Sequence, residues 1–209
     1  MRRWLACLVT FARLAHADPD DVVSRPLVLA AGQLELDATA EVNLAAGQIA
    51  HPLSLAPDAW LGATSRWTVG IVHSDPAVDR IEPGATFCFT TGVTGCSRFY
   101  RGSGVDVRWS ARQGELAVAP RARLLLRDVD PWKPAVTLGA LVRWTRGRWA
   151  VWSDPYLQLG LANVDAGNRH ALFVPIGVSM QPGCRWAIDL RTGWDSDFAV
   201  ITDGWYVPF

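Results

Sequence analysis

The stretch from Gly104 to Asp128 alternates between apolar and polar residues with a period of two. Valines, a tryptophan and leucines occupy one set of positions, aspartate, serine and arginines occupy most of the other, and Gln113-Gly114-Glu115 interrupts the pattern. A period of two is typical of a β-strand with chemically different faces, and the interruption indicates a turn. The stretch therefore predicts a β-hairpin with one apolar and one charged face.

The same alternation recurs along most of the chain, and no helical periodicity of useful length follows the first 17 residues. An all-β, antiparallel fold of about ten strands is predicted. Most of these segments run to 11–14 residues, whereas strands of soluble proteins cluster near 5–6 residues and a tilted membrane strand needs about 9–11. The predicted strands are 33–44, 52–64, 66–74, 99–112, 115–127, 134–145, 149–162, 170–180, 184–194 and 198–209.

The connections between these strands alternate between tight and mostly longer ones. The tight ones are 64–66, 112–115, 145–149 and 180–184, and the others are 45–51, 75–98, 128–133, 163–169 and 195–197. Bacterial outer-membrane barrels have short periplasmic turns and longer extracellular loops. The alternation therefore favours a transmembrane barrel with its tight turns in the periplasm.

Aromatic residues concentrate near both ends of the predicted strands. Amphipathic rings favour the two interfaces between membrane and water, so two aromatic belts are expected, with a buried tryptophan core as the alternative. The tight-turn belt would contain Trp67, Trp109, Trp144, Trp149 and Trp186, and the long-loop belt Phe99, Tyr100, Trp132, Phe173 and Trp194.

The N-terminus resembles a secretory signal peptide. Arg2 and Arg3 precede an apolar run that ends at Ala15-His16-Ala17, a cleavage site of the A-x-A type. The predicted organisation is a signal peptide at 1–17, a periplasmic N-terminal segment at 18–32 and a transmembrane barrel at 33–209. The formal charge of the whole chain is zero, and removing the three arginines of the leader leaves a mild acidic excess. This charge does not indicate a nucleic-acid partner.

Two phrases, PLSLAPDAWLGATSRWTVGIVHS (52–74) and DPYLQLGLAN (154–163), resemble uncharacterised proteobacterial outer-membrane β-barrel proteins of the porin-like kind. The terminal Phe209 resembles the last strand of such barrels. The resemblance implies an up-and-down barrel in the bacterial outer membrane, exported through the periplasm, with the lipid bilayer and the barrel-assembly machinery as partners. It also implies twelve strands where the natural chain continues, and Pro208, which lacks a donor, is a poor member of a closing strand.

In such a barrel the aliphatic positions set the phase of each strand. Polar and charged side chains then line the inside, where they either pair into a network that plugs the lumen or face one another across water as a narrow pore for small polar solutes. The predicted lining residues are Glu35, Asp37, Glu41, Asp58, Asp106, Arg108, Arg112, Arg121, Arg123, Arg143, Asp154, Tyr156, Gln158, Asp189 and Arg191.

Cys88 and Cys96 lie eight positions apart in the longest predicted loop. Export into an oxidising compartment predicts a disulfide between them, with two free thiols as the alternative. Cys184 falls in a tight turn and is predicted to be unpaired.

No catalytic, metal-binding or cofactor motif is found in the sequence. His51, His73 and His170 fall near the long-loop end, but they lack ligand spacing and match no motif of the omptin-type barrel proteases. The leading hypothesis is therefore a non-enzymatic outer-membrane barrel without a cofactor or metal. The alternatives are a secreted soluble β-sandwich or lipocalin-like binding protein, with its apolar faces inward, and a barrel enzyme.

Overall fold

The structure is a computed structural model that describes residues 23–42, 53–73, 87–90, 98–165, 168–183, 186–197 and 202–206. Only the backbone is described at 39–42, 186, 191, 197 and 202–206. The predicted signal peptide lies outside the described residues. The strands are β1 (Leu34–Val42), β2 (Leu53–Gly62), β3 (Trp67–Val72), β4 (Phe87–Cys88), β5 (Ser103–Trp109), β6 (Leu116–Val129), β7 (Trp132–Arg146), β8 (Trp149–Ser153), β9 (Tyr156–Gly160), β10 (Ala171–Gly183), β11 (Trp186–Asp197) and β12 (Thr202–Tyr206).

All twelve strands belong to one antiparallel sheet, which confirms the predicted all-β class. The main order is β1-β2-β3-β5-β6-β7-β8-β10-β11-β12, so each long strand pairs with its neighbour in sequence. β9 lies beyond β8 between the same two neighbours, β7 and β10. Among the described residues, no pairing joins β1 to β12. In the same part of the chain, no helix is long and apolar enough to cross a membrane.

The predicted strand 149–162 is interrupted at Asp154-Pro155, where β8 ends and β9 begins. Proline has no backbone N–H to donate to the sheet, which explains the break. The Pro155 carbonyl nevertheless accepts a 3.1 Å hydrogen bond from the Ala140 amide. The two halves therefore act as one long strand with a local irregularity that frees Asp154 from the regular pairing.

Two predicted connections are wrong in detail. The connection at 128–133 shrinks to two residues, because Val129 pairs with Trp132 and extends β6 and β7. The 75–98 loop contains β4, which pairs with Ser54 and Leu55 on β2. The reason is geometric: β3 covers only the last four residues of β2, and β4 occupies part of the edge that would otherwise stay open.

Burial alternates along the strands and separates two faces of opposite chemistry. The face that carries the buried side chains is here called the sheltered face, and the opposite one the exposed face. On β2 the residues from Ser54 to Gly62 alternate in this way, with Asp58 and Trp60 on the sheltered face. Burial follows the alternation predicted from the sequence on β3, β5, β6, β8, β9 and β10, whereas residues 36–38 of β1 and 187–190 of β11 are exposed on both faces.

The exposed face is apolar, whereas the sheltered face carries polar side chains beside small apolar and aromatic ones such as Ala119, Ala135 and Phe173. Buried polar residues include Ser54, Asp58, Thr68, Asp106, Arg123, Thr137, Asp154, Gln158, Ser179 and Gln181. Exposed aliphatic residues include Leu34, Leu36, Leu61, Val69, Ile71, Val105, Leu124, Leu138, Val151, Leu159, Leu161, Ile176, Ile188 and Leu190. The many exposed large apolar side chains and the few buried charged ones are unusual for a water-soluble protein, in which large apolar side chains are mostly buried and charged ones almost never are.

Exposed aromatic residues lie toward both ends of the strands. Trp67 and Trp109 are cross-strand partners with ring centroids 6.3 Å apart, and they share the tight-turn end with exposed Trp144 and Trp149. Phe89, Phe99 and Trp132 are exposed toward the other end. The assignment of Phe173 to a belt is wrong, because its position on β10 shares the sheltered phase with Ala171 and its ring is buried.

The N-terminal segment, residues 23–33, packs against the sheltered face before β1 begins. Val23, Val28 and Leu29 are buried. The Leu29 amide donates a 2.8 Å hydrogen bond to Thr68 Oγ1 on β3, and the Val23 amide donates one of 3.3 Å to Gln181 Oε1 on β10. Since β3 and β10 are five positions apart in the main strand order, the segment crosses the sheltered face.

Candidate functional site

The most concentrated chemistry of the sheltered face is a group of four charged residues, here called the charged cluster: Asp106 and Arg108 on β5, Arg121 on β6, and Asp154 at the break between β8 and β9. All four were predicted to face inward. Asp106 and Arg108 are two residues apart and so share a face. Arg108 is also the direct cross-strand partner of Arg121, which brings the two guanidinium groups to the same level of the sheet.

Asp106 is the centre of the cluster and is fully buried. Arg121 binds it through two parallel hydrogen bonds, Nε to Oδ1 at 2.9 Å and Nη2 to Oδ2 at 2.6 Å. Arg108 donates from Nε and Nη2 to Oδ2 at 3.0 and 2.9 Å, and the Trp60 indole donates to Oδ2 at 3.0 Å. Two-pronged pairing of this kind is among the strongest hydrogen bonding available to a carboxylate.

Arg121 also reaches a second carboxylate. Its Nη1 donates to Asp154 Oδ2 at 2.8 Å, so one guanidinium bridges two acids. Two arginines and two aspartates leave the charged cluster without net charge. A buried charge is tolerated only when it is paired and hydrogen-bonded. Asp106 meets that condition through the two arginines and Trp60, whereas Asp154 is paired through Oδ2 alone and its Oδ1 is buried without a hydrogen-bond partner.

A second group of residues lies on the side of the long loops, here called the arginine–aromatic cluster: Arg123, Tyr156, Phe173 and Arg169. Tyr156 and Phe173 stack with centroids 4.8 Å apart. The Arg123 guanidinium carbon lies 4.7 Å from the Tyr156 centroid, and that of Arg169 lies 5.2 Å from the Phe173 centroid. Arg169 is paired with Asp195. Aromatic faces attract cations at these distances, and more strongly when water is excluded.

Glycines make room for the large rings of the sheltered face. Gly70 is the cross-strand partner of Trp60, and Gly177 is that of Trp152. A Cβ added to either glycine would come 2.2 Å from an atom of the tryptophan ring. Glycine inside a strand often marks such a close approach. Gly70 is a sequence signal for the nearby Trp60 ring, but the contact between Trp60 and Asp106 was not predicted.

The other predicted lining residues are spread around the sheet. Asp58 is buried and accepts a 2.6 Å hydrogen bond from the His73 amide, and Asp189 accepts one from the Ser179 hydroxyl. Glu35 is half-buried and attracts Arg108 of the charged cluster electrostatically without an ion pair, whereas Asp37 is exposed. The side chains of Glu41 and Arg191 lie outside the described residues.

Arg112 and Arg143 lie near the tight-turn end. Arg143 Nη2 donates to the Ser24 carbonyl of the N-terminal segment at 3.3 Å. Arg112 was predicted to line the inside from a strand, but β5 ends at Trp109 and Arg112 is exposed in the following turn. Both arginines border a cavity of about 550 Å³ between this turn and the N-terminal segment.

Cys88 is fully buried on β4, and Cys96 and Cys184 lie outside the described residues. The disulfide therefore stays a prediction. Within the described ranges, no three histidine, cysteine or acidic side chains are grouped as a metal site would require.

No protein-family model matches the chain, and neither curated proteins nor solved structures include a match. The functional conclusions below therefore depend on the geometry of this chain alone.

Proposed function

We propose that this chain is an integral protein of the bacterial outer membrane, folded as a β-barrel whose interior is the sheltered face. The single observation that carries the proposal is the inverted distribution of polarity. Asp106 is 0% exposed, while Leu36 and Leu190 are 71% and 70% exposed. A lipid-facing band of apolar residues around a polar interior is the arrangement of transmembrane barrels.

Exposure of the apolar side chains on the exposed face costs free energy in water but not in hydrocarbon. Burying one large aliphatic side chain is worth about 1.5–3 kcal/mol, and the exposed face carries such side chains on nearly every long strand. Soluble monomers rarely expose large contiguous apolar patches. The soluble sandwich and lipocalin-like alternatives need the leucines and valines on the inside, which is the opposite of the observed phase.

Exposed rings at the strand ends support the same proposal. Trp67, Trp109, Trp144 and Trp149 would occupy the periplasmic interface, and Phe99 and Trp132 the outer one. Rings with one apolar and one polar part favour these depths. Aliphatic side chains such as Leu138 would then meet the hydrocarbon between the two belts.

The sequence is compatible with two kinds of barrel interior, a plugged lumen and a narrow pore. The plugged lumen has more support. The charged cluster satisfies its charges internally, and the N-terminal segment crosses the sheltered face toward the tight-turn end. We therefore propose a structural or surface-displayed barrel that does not pass solutes freely. It would reach the membrane by export and the barrel-assembly machinery, and it would need no cofactor.

The test is to refold the mature chain, without residues 1–17, into phosphatidylcholine vesicles and to compare heated and unheated samples by gel electrophoresis. A membrane barrel should migrate faster when unheated, and its strands should resist added protease. A chain that stays monomeric in buffer without detergent, and shows one mobility, contradicts the proposal. The mature chain in buffer without lipid is the control.

A further inference from the structure

We propose that Arg123 is the centre of a binding site for a small inorganic oxyanion, with phosphate as the test ligand, inside the proposed barrel. The inference rests on the proposed function, because it takes the sheltered face as the interior. Arg123 is 3% exposed. Its Nε donates to Thr137 Oγ1 at 2.9 Å, and its guanidinium lies over the Tyr156 ring. Among the described residues it forms no ion pair, unlike Arg121 and Arg169.

The charge balance around Arg123 points to an anion. Asp106 is the direct cross-strand partner of Arg123, but its two oxygens are already bound by Arg108 and Arg121. Arg169 has Asp195. A hydroxyl and an aromatic ring stabilise a guanidinium, but neither carries a counter-charge. Because leaving a buried charge uncompensated is costly, an anion that supplies the missing charge would bind with a gain in stability.

The geometry of Arg123 leaves donors for such a ligand. A guanidinium has five N–H donors in a planar fork, and Thr137 takes the one on Nε. The terminal nitrogens make no hydrogen bond within the described part of the chain, so their donors are not taken by a side chain there. The two terminal nitrogens of a planar guanidinium can each bind one oxygen of an oxyanion, a geometry that a spherical ion does not offer.

The position of Arg123 gives the site one side of approach. β6 runs from the tight turn at 110–115 to the hairpin at 130–131, so Arg123 lies about 7 Å beyond Arg121 toward the long loops. The charged cluster closes the sides below and beside it, because Asp106 lies directly across from Arg123. Toward the long loops, Arg127 Nη1 donates to Gln158 Oε1 at 2.9 Å, and Gln158 Nε2 donates to the Arg169 carbonyl at 3.1 Å.

The experiment is a calorimetric titration of phosphate into the full mature chain, refolded in an uncharged detergent, at constant ionic strength. We expect saturable binding at one site with a dissociation constant of about 1 mM or tighter. Arg123→Gln should weaken binding at least tenfold, and Arg123→Lys should weaken it to a lesser degree, because lysine keeps the charge and loses the fork. The control is Arg66→Gln, at an exposed turn position, which should bind like the wild type.

The absence of saturable binding in the wild type overturns the inference, and so does an Arg123→Gln variant that binds equally well. If Arg123→Gln does not refold, Arg123→Lys decides: an affinity equal to that of the wild type overturns the fork-based site. Failure of the proposed function is distinguishable, because heated and unheated samples would then have the same gel mobility before phosphate is added. Failure of the anion site leaves the heat-dependent mobility unchanged.

Discussion

Arg121 holds Asp106 in a two-pronged pair, with both oxygens of a fully buried carboxylate bound by one guanidinium. The register of two strands makes this pair, because Arg121 lies opposite Arg108 and therefore diagonal to Asp106. The same guanidinium reaches Asp154 across β7, where the cross-strand partner of Arg121 is Gly139, a residue without a side chain. The sheet thus places one cation between two anions.

Asp106→Asn should destabilise the protein strongly. The amide keeps the shape of the side chain but removes the charge that compensates Arg108 and Arg121, and breaking a buried pair in this way costs about 3–5 kcal/mol. The free energy of unfolding, measured with urea in lipid vesicles by tryptophan fluorescence, checks this. The matched control is Asp165→Asn, because Asp165 pairs with Lys133 at 2.8 Å but is 50% exposed. It should cost about 0–1 kcal/mol, and equal losses in the two variants would contradict the assigned role.

Arg121→Ala should open a conducting path, provided that the N-terminal segment is also removed. Loss of the guanidinium separates Asp106 from Asp154 and leaves the cluster with one net negative charge. Planar-bilayer recordings should therefore show cation-selective steps for a chain that lacks residues 18–30 and carries Arg121→Ala. The same deletion with Arg121 retained is the control and should remain closed. Steps of equal size in the control would contradict the plugged interior.

Leu138→Arg tests which solvent the exposed face meets. Leu138 lies in the middle of β7, is 52% exposed and pairs with Leu157 and Ala122. An arginine facing the middle of a bilayer costs about 2–4 kcal/mol, whereas an exposed substitution in water usually changes stability by less than about 0.5 kcal/mol. The unfolding free energy in vesicles measures the difference. Ser65→Arg, at an exposed turn, is the control, and equal stability of both variants would mean that Leu138 faces water.

The phase of the strands could be predicted from the sequence because it depends only on alternation. Leu116, Val118 and Leu124 share a face whatever their partners are, and a period of two assigns them without knowledge of the register. The all-β class and the placement of Arg121 and Arg123 on the sheltered face follow from the same rule.

The partners of these arginines could not be predicted, because pairing depends on the register of neighbouring strands. The predicted lining set included Asp37 on the first strand, yet Asp37 is exposed and the acids that bind Arg121 come from β5 and from the break at Pro155. The path of the N-terminal segment across the sheltered face could not be predicted from the sequence either. Its contacts depend on Thr68 and Gln181, which are far away in sequence and ordinary by composition.

The predicted bridge between Cys88 and Cys96 can be tested by peptide mapping of the oxidised mature chain. We expect a peptide pair linked through these cysteines, with Cys184 open to alkylation. Reduction should leave the heat-dependent mobility intact, because only two residues of the loop, Phe87 and Cys88, form a described strand. Alkylation of all three cysteines without a reductant would show that the bridge is absent.

Gly62→Val should displace the N-terminal segment from the sheltered face. Gly62 is bound to the segment in both directions: its amide donates to the Gln33 carbonyl at 2.9 Å, and its carbonyl accepts from the Gly32 amide at 2.7 Å. A Cβ at Gly62 would lie 1.9 Å from the Ala30 carbonyl oxygen, and backbone cannot give way as a flexible side chain can. We expect a loss of about 1–3 kcal/mol from this overpacking and faster chymotrypsin cleavage after Leu29, which is buried in the docked segment, because the released segment can enter the protease. Gly183→Val is the matched control, since a Cβ there meets nothing within 4 Å. Cleavage after Leu29 at the same rate in both variants would mean that Gly62 does not hold the segment in place.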